Sequence, residues 1–257
     1  MIAVAALSVA LSGCGSSSKA RKTVAAAPLA TNVPKMGAKA FDQYKAKTPL
    51  DEERKTNAYI VCVAEAVVRD VGGDWEVAFF RRDAAGAFVL PGGKIGVYSG
   101  TLKLTKNQHQ VAAILAHGLA HVLAKHPEAR VADDAKQHPD SFAAAALDHP
   151  GSPDAQRVSS LLGMFPTGTE VPFDRAHESE ANIKGLDLMA RAGFDPREAV
   201  VFWRSIERGG TRTSDFVDLH PSYGTRIAEL EGHVSAASEL RDRAKAAGKK
   251  PECDRLR

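Results

Sequence analysis

His117 and His121 stand four residues apart, separated only by Gly118, Leu119 and Ala120, inside the apolar stretch 107–126. Side chains at that spacing share one face of an α-helix, with Cβ atoms about 5–6 Å apart. Two imidazoles so placed can grip one divalent metal, and zinc held tetrahedrally by nitrogen and oxygen is the usual case. Taken alone, the pair reads equally well as two surface or satisfied core histidines. The small-residue stripe Ala113, Ala116, Ala120 and Ala124 adds weight, because it lets a second helix, which must bring further ligands, pack close. His126 is a poor candidate for that role: five residues past His121, it lies about 140° further round the helix.

The elements around this pair follow from periodicity and breakers. Helical spacing of apolar residues runs from Asp51 to Val71 and ends at Gly72-Gly73. Trp75–Arg82 and Lys94–Ser99 read as strands, with Phe88–Leu90 between them and a turn at Pro91-Gly92-Gly93. The helix carrying the histidines is expected to stop at Pro127. The stretch 131–172 is polar, holds five prolines, and reads as a mobile excursion over the site. Further helices are expected over 174–192, 196–208 and 221–240.

The chain has 257 residues, 44% hydrophobic and 25% charged, which fits a globular protein with one large domain or two small ones. A net charge of +3 gives no reason to expect a nucleic-acid partner. No apolar run reaches the length of a membrane-spanning helix. The start is distinctive: Ile2–Leu11 is apolar, and Leu11-Ser12-Gly13-Cys14 resembles the end of a bacterial lipoprotein signal, with Cys14 taking the lipid. Gly15 after it points to the periplasmic face of the outer membrane. The expected division is a signal segment over 1–14, a flexible tether over 15–50 and one domain over 51–257. With Cys14 lipidated, Cys62 and Cys253 remain as a disulfide pair for an oxidising compartment; the alternative is two unpaired thiols.

Other stretches carry a resemblance. The stretch Phe88–Gly100 ahead of the histidine helix, with Glu178-Ser179-Glu180-Ala181-Asn182 on a later helix and His220-Pro221-Ser222-Tyr223-Gly224-Thr225-Arg226-Ile227 after it, resembles in kind and order the pattern of family forty-eight of the zinc metallopeptidases. That is the group of the CAAX prenyl protease, HtpX and BepA, and the resemblance spans about residues 51–240. It implies an α+β fold: a zincin-type helical core beside a small sheet with a substrate-binding edge strand. It implies one Zn²⁺ per chain, held by His117, His121 and Glu178, with Glu180 turned to solvent. It places His220 and Arg226 near the metal, where His220 either stabilises the oxyanion or blocks the fourth ligand position. Gly93, Lys94, Ile95, Gly96 and Val97 would form the edge strand that pairs with an extended peptide.

Two departures bear on activity. Zinc peptidases of the H-E-x-x-H pattern use the Glu as general base, and Gly118 stands there. Asn182 replaces the Asp expected to support the metal shell. A general base contributes about 10²–10⁴-fold, and groups behind the ligands about 10–100-fold. The expectation is therefore an envelope metalloendopeptidase acting on unfolded or misassembled proteins, with impaired hydrolysis. The alternative is a non-catalytic peptide-binding pseudopeptidase serving as chaperone or adaptor.

Overall fold

A computed structural model of the chain describes residues 32–138, 147–164, 171–209, 220–221 and 224–257. Cys14 and the first part of the expected tether lie outside these residues. None of the described helices is long and apolar enough to cross a membrane.

The later part of the expected tether is ordered. Helix α1, Val33–Lys47, buries Val33, Met36, Ala40 and Phe41. Phe41 and Tyr44 pack edge-on against Phe80 and Phe88, which they meet at ring-centre distances of 5.0–6.3 Å. The helix can come so close because Gly37 has no side chain: a Cβ there would lie 2.0 Å from the Pro91 carbonyl oxygen. Pro91-Gly92-Gly93 is thus a seat for α1 as well as a turn.

Helix α2, Arg54–Val68, starts at Glu53, whose carboxylate accepts from the Lys55 and Thr56 amides. The sheet follows as β1 (Glu76–Phe80), β2 (Ala87–Leu90) and β3 (Lys94–Tyr98), in the spatial order β1-β3-β2. β1 pairs parallel to β3, and β2 pairs antiparallel to it with Val89 opposite Ile95. This corrects one expectation. Lys94–Val97 lies in the central strand, its backbone committed on both sides, and cannot accept a peptide as an edge. The edge beside the histidine helix is β2.

A short helix α3, Thr101–Leu104, leads into α4, Gln108–Leu123. Asn107 caps α4 by accepting from the His109 and Gln110 amides. Nearly every residue from Gln108 to His121 is buried, so α4 is the central helix rather than a surface one. Its start is sealed by the C-terminal tail: Asp254 accepts from the Gln108 amide at 2.8 Å, and the Gln108 side chain donates to the Pro251 carbonyl at 2.9 Å. A disulfide joins Cys253 of that tail to Cys62 of α2 across 191 positions. Closing so long a loop stabilises by about 5 kcal/mol in the chain-entropy picture.

The stretch after Pro127 is more regular than its prolines suggest. Lys125 turns the chain with φ 59°, and Pro127 sits in the first turn of a new helix, α5, His126–Gln137, where its missing N–H costs nothing. Helix α6, Pro153–Leu162, follows, capped by Ser152. Then come α7 (Arg175–Arg191), α8 (Arg197–Gly209) and the long α9 (Arg226–Ala246). The architecture is mostly helical around one small sheet, in keeping with an α+β class.

Candidate metal centre

α4 supplies His117 and His121 one turn apart, and α7 lies across it. Their approach depends on Gly185 of α7, where a Cβ would stand 2.9 Å from the His117 Cα. Asp174 caps α7 by accepting from the His177 amide, which sets Glu178 in the first turn, facing the two histidines. His220 arrives just ahead of α9. The four side chains are buried, each 3% exposed or less.

Their ligand atoms converge. His117 Nε2 lies 3.2 Å from His121 Nε2 and 3.3 Å from His220 Nδ1. Glu178 Oε2 lies 3.3 Å from His117 Nε2, and Oε1 lies 3.3 Å from His121 Nε2 and 2.9 Å from His220 Nδ1. Ligands about 2.0 Å from a tetrahedral zinc stand about 3.3 Å from one another. Three ring nitrogens and a carboxylate at this spacing fit one metal ion and are the group among the described residues that could hold one. His220 is a member of the set, not a bystander, and with it four candidate ligands converge.

Protonation suits this use. Burial pushes the His117 and His220 imidazoles down to about 4, and that of His121 down to about 3. Burial opposes ionisation of Glu178, but the facing His220 and His117 overrule it and hold its carboxyl well below the usual range. Near neutral pH the centre therefore presents three neutral imidazoles and one carboxylate.

A dense network stands behind the ligands. The buried Arg226 donates through Nη2 to Glu178 Oε2 at 2.6 Å and to the His220 carbonyl at 2.9 Å. Its Nε donates to Asn182 Oδ1 at 3.1 Å, and its guanidinium lies 4.1 Å over the Trp203 ring. Asn182 in turn donates to Glu229 at 2.6 Å. On the other flank His121 Nδ1 faces His126 Nδ1 at 2.9 Å, and His126 Nε2 lies 3.2 Å from Glu180 Oε2. With His121 Nε2 as the ligand atom, its Nδ1–H donates to His126, whose Nε2–H donates to Glu180. His126 is thus no ligand but the partner of one, and Glu180 is a half-exposed anchor also paired with Lys184.

The face at Gly118 differs. A Cβ on Gly118 would lie 3.0 Å from Val89 Cγ2, so β2 fills the space in which a longer side chain would start. The Tyr98 backbone amide donates to the Gly86 carbonyl at 2.9 Å. By antiparallel alternation the N–H and C=O of Ala87 and Val89 therefore point away from β3. Phe173 closes this side, its ring 3.9 Å from that of His121 and stacked at 5.0 Å on His220. Arg130 lies 3.9 Å over the same ring and donates to the Val171 carbonyl. Sequence reading missed Phe173, Arg130 and Glu229, which carry no motif and are brought here only by packing; Val89 lay within the family-like stretch Phe88–Gly100, but its contact with Gly118 was not foreseen.

Residues 50–234 match the sequence profile of peptidase family M48. The mitochondrial metalloendopeptidase OMA1 of Schizosaccharomyces pombe is 34% identical over 194 residues, covering 73% of this chain and 56% of its own. OMA1 of Saccharomyces cerevisiae is 29% identical over 195 residues, 69% of this chain and 54% of its own. The β-barrel assembly-enhancing protease of Escherichia coli is 25% identical over 205 residues, 75% of this chain and 42% of its own. The chain spans about half the length of the curated relatives it matches.

Proposed function

The chain belongs to peptidase family M48, and we propose that it is a zincin-type protein holding one zinc through His117, His121, Glu178 and His220, with peptide hydrolysis strongly impaired. The observation that carries this is the pairing of a four-ligand cluster with Gly118. Sites closed by four protein ligands are structural, whereas catalytic ones keep a position open. Zinc, when bound with a position open, supplies Lewis-acid polarisation of a carbonyl and lowers the pKa of water. This chain offers no carboxylate at residue 118 to take the proton, and His220 fills the position a reactant needs.

The substrates would be unfolded or misassembled protein segments in extended form. β2 replaces Lys94–Val97 as the proposed docking strand, because Ala87 and Val89 direct their backbone groups away from β3, although both residues are buried and Gly163 stands beside the Val89 carbonyl. Phe173 would have to yield for a peptide to reach it. Placement at the periplasmic face of the outer membrane, anchored through Cys14, rests on the Leu11–Cys14 motif. A second reading, a wholly non-catalytic chaperone or adaptor, is favoured by Val89 packed onto Gly118, which leaves no room for a base without a shift.

Metal analysis and casein cleavage test the proposal. The purified protein should carry close to one zinc and cleave casein little or not at all, and His121→Ala should lose tight zinc binding. Equal zinc in wild type and variant would remove the metal site. Zinc-dependent cleavage by the wild type at the rate of a Gly118→Glu variant would overturn the impaired reading. Suppression of aggregation of an unfolded protein, with no cleavage in any variant, would favour the chaperone reading.

A further inference from the structure

We propose that Glu229 is a positioning residue for the metal centre, acting through Asn182, and that Asn182 is the required partner of Glu229 rather than a decayed Asp. The inference rests on the metal-holding reading above and concerns groups that do not touch the ligand cluster's centre.

The geometry runs in one line. Glu229, in the first turn of α9, takes two donors from α7: Ser179 Oγ on Oε1 at 2.5 Å and Asn182 Nδ2 on Oε2 at 2.6 Å. Asn182 returns its Oδ1 to Arg226 Nε at 3.1 Å, and Arg226 Nη2 meets Glu178 Oε2 at 2.6 Å. A carboxamide is the side chain this position needs, because one end must donate to a carboxylate while the other accepts from a guanidinium. Asn182 is 3% exposed, so an end left unmatched would be an unsatisfied buried polar group.

An Asp at 182 would serve only one of the two partners. Its outward oxygen would stand where Asn182 Nδ2 now stands, a hydrogen-bond length from Glu229 Oε2, and two carboxylates that close cannot both ionise. Either the pair would share a proton or Glu229 would swing away from α7. Both outcomes take negative charge or alignment from Arg226, whose hold on Glu178 and on the His220 carbonyl fixes two members of the cluster. The negative charge that the expected Asp would carry is supplied here from α9. The two residues lie 47 positions apart, so no local motif reports the exchange.

The exchange predicts a sign. Asn182→Asp, the change that would restore the family pattern, should weaken zinc binding about 10-fold or more in chelator competition. Glu229→Gln alone should weaken it less, since a Gln oxygen can still accept from Asn182. The double variant Asn182→Asp with Glu229→Gln reverses donor and acceptor and should recover affinity to within about threefold of the wild type, a non-additive rescue. The visible spectrum of the cobalt-substituted protein gives a readout that general stability does not move: it should change in Asn182→Asp and return in the double variant. Thermal unfolding of the metal-free proteins, run in parallel, should show the same loss and rescue. Unchanged or tighter zinc binding in Asn182→Asp, or a double variant as weak as the sum of the singles, would overturn the proposal. A wild type that binds no zinc would sink the metal-holding reading instead, and the metal-free unfolding cycle would still decide the Asn182–Glu229 pairing.

Discussion

The two flanks of the centre are built on opposite principles. Behind the ligands, Arg226, Asn182 and Glu229 on one side and His126 and Glu180 on the other form chains in which each polar group has a named partner. In front, where a peptide and a proton acceptor would be needed, the neighbours are Gly118, Val89 and Phe173, all without a titratable group. A buried network resists piecemeal change, because deleting one member strands another as an unpaired charge or donor. A base facing a cleft has no such hold: its loss removes rate and leaves the fold intact. On the proposed reading, the centre would hold a metal ion on a face that lacks the means to use it.

The largest effect should come from breaking the holding flank. Arg226→Met leaves Glu178 buried without its cation and should destabilise the metal-free protein by about 3–5 kcal/mol in denaturant unfolding. Saturating zinc should recover part of that loss, since the ion also pairs with Glu178. A change of less than about 1 kcal/mol in the metal-free form would mean that the ion pair does not organise this flank.

The next effect comes from equipping the reactive flank. Gly118→Glu combined with Val89→Ala should raise casein cleavage at least about 10²-fold, worth about 2.7 kcal/mol of barrier. Gly118→Glu alone should gain less, because its Cβ meets Val89 Cγ2 at 3.0 Å. Adding His220→Ala should raise the gain further by opening a ligand position. If zinc is retained and none of these variants cleaves, the missing base is not what limits the site.

The smallest of the three tests the orienting side of the holding flank. His126→Phe keeps the ring but removes the acceptor for His121 Nδ1, and should weaken zinc binding about 10-fold in chelator competition. Unaltered affinity would make His126 a packing residue.

Much of this was legible in the chain. The His117–His121 spacing, Glu178, and the order of the elements pointed to the helices and to the family, and the odd cysteine count pointed to the Cys62–Cys253 pair. What misled was local: prolines over 131–172 suggested a loose excursion, yet Pro153 sits in the first turn of α6, just as Pro127, read as a helix stop, sits in the first turn of α5. The Ser-, Ala- and Lys-rich stretch before residue 51 read as tether, yet Val33–Lys47 in its second half forms α1, because Gly37, Phe41 and Tyr44 find a turn and an aromatic cluster to pack on.

By itself the sequence determined that His117 and His121 share one helix face and that Gly118 carries no group to act as a base, because both follow from residue type and helical spacing; Glu178 came in through the family resemblance. Only the tertiary structure decided that β2 and not Lys94–Val97 is the edge, that His220 joins the cluster, and that Asn182 answers to Glu229. The reason is physical. Strand order, ligand convergence and donor–acceptor matching are relations between elements far apart in the chain, and periodicity carries no information about which neighbour a buried face will meet.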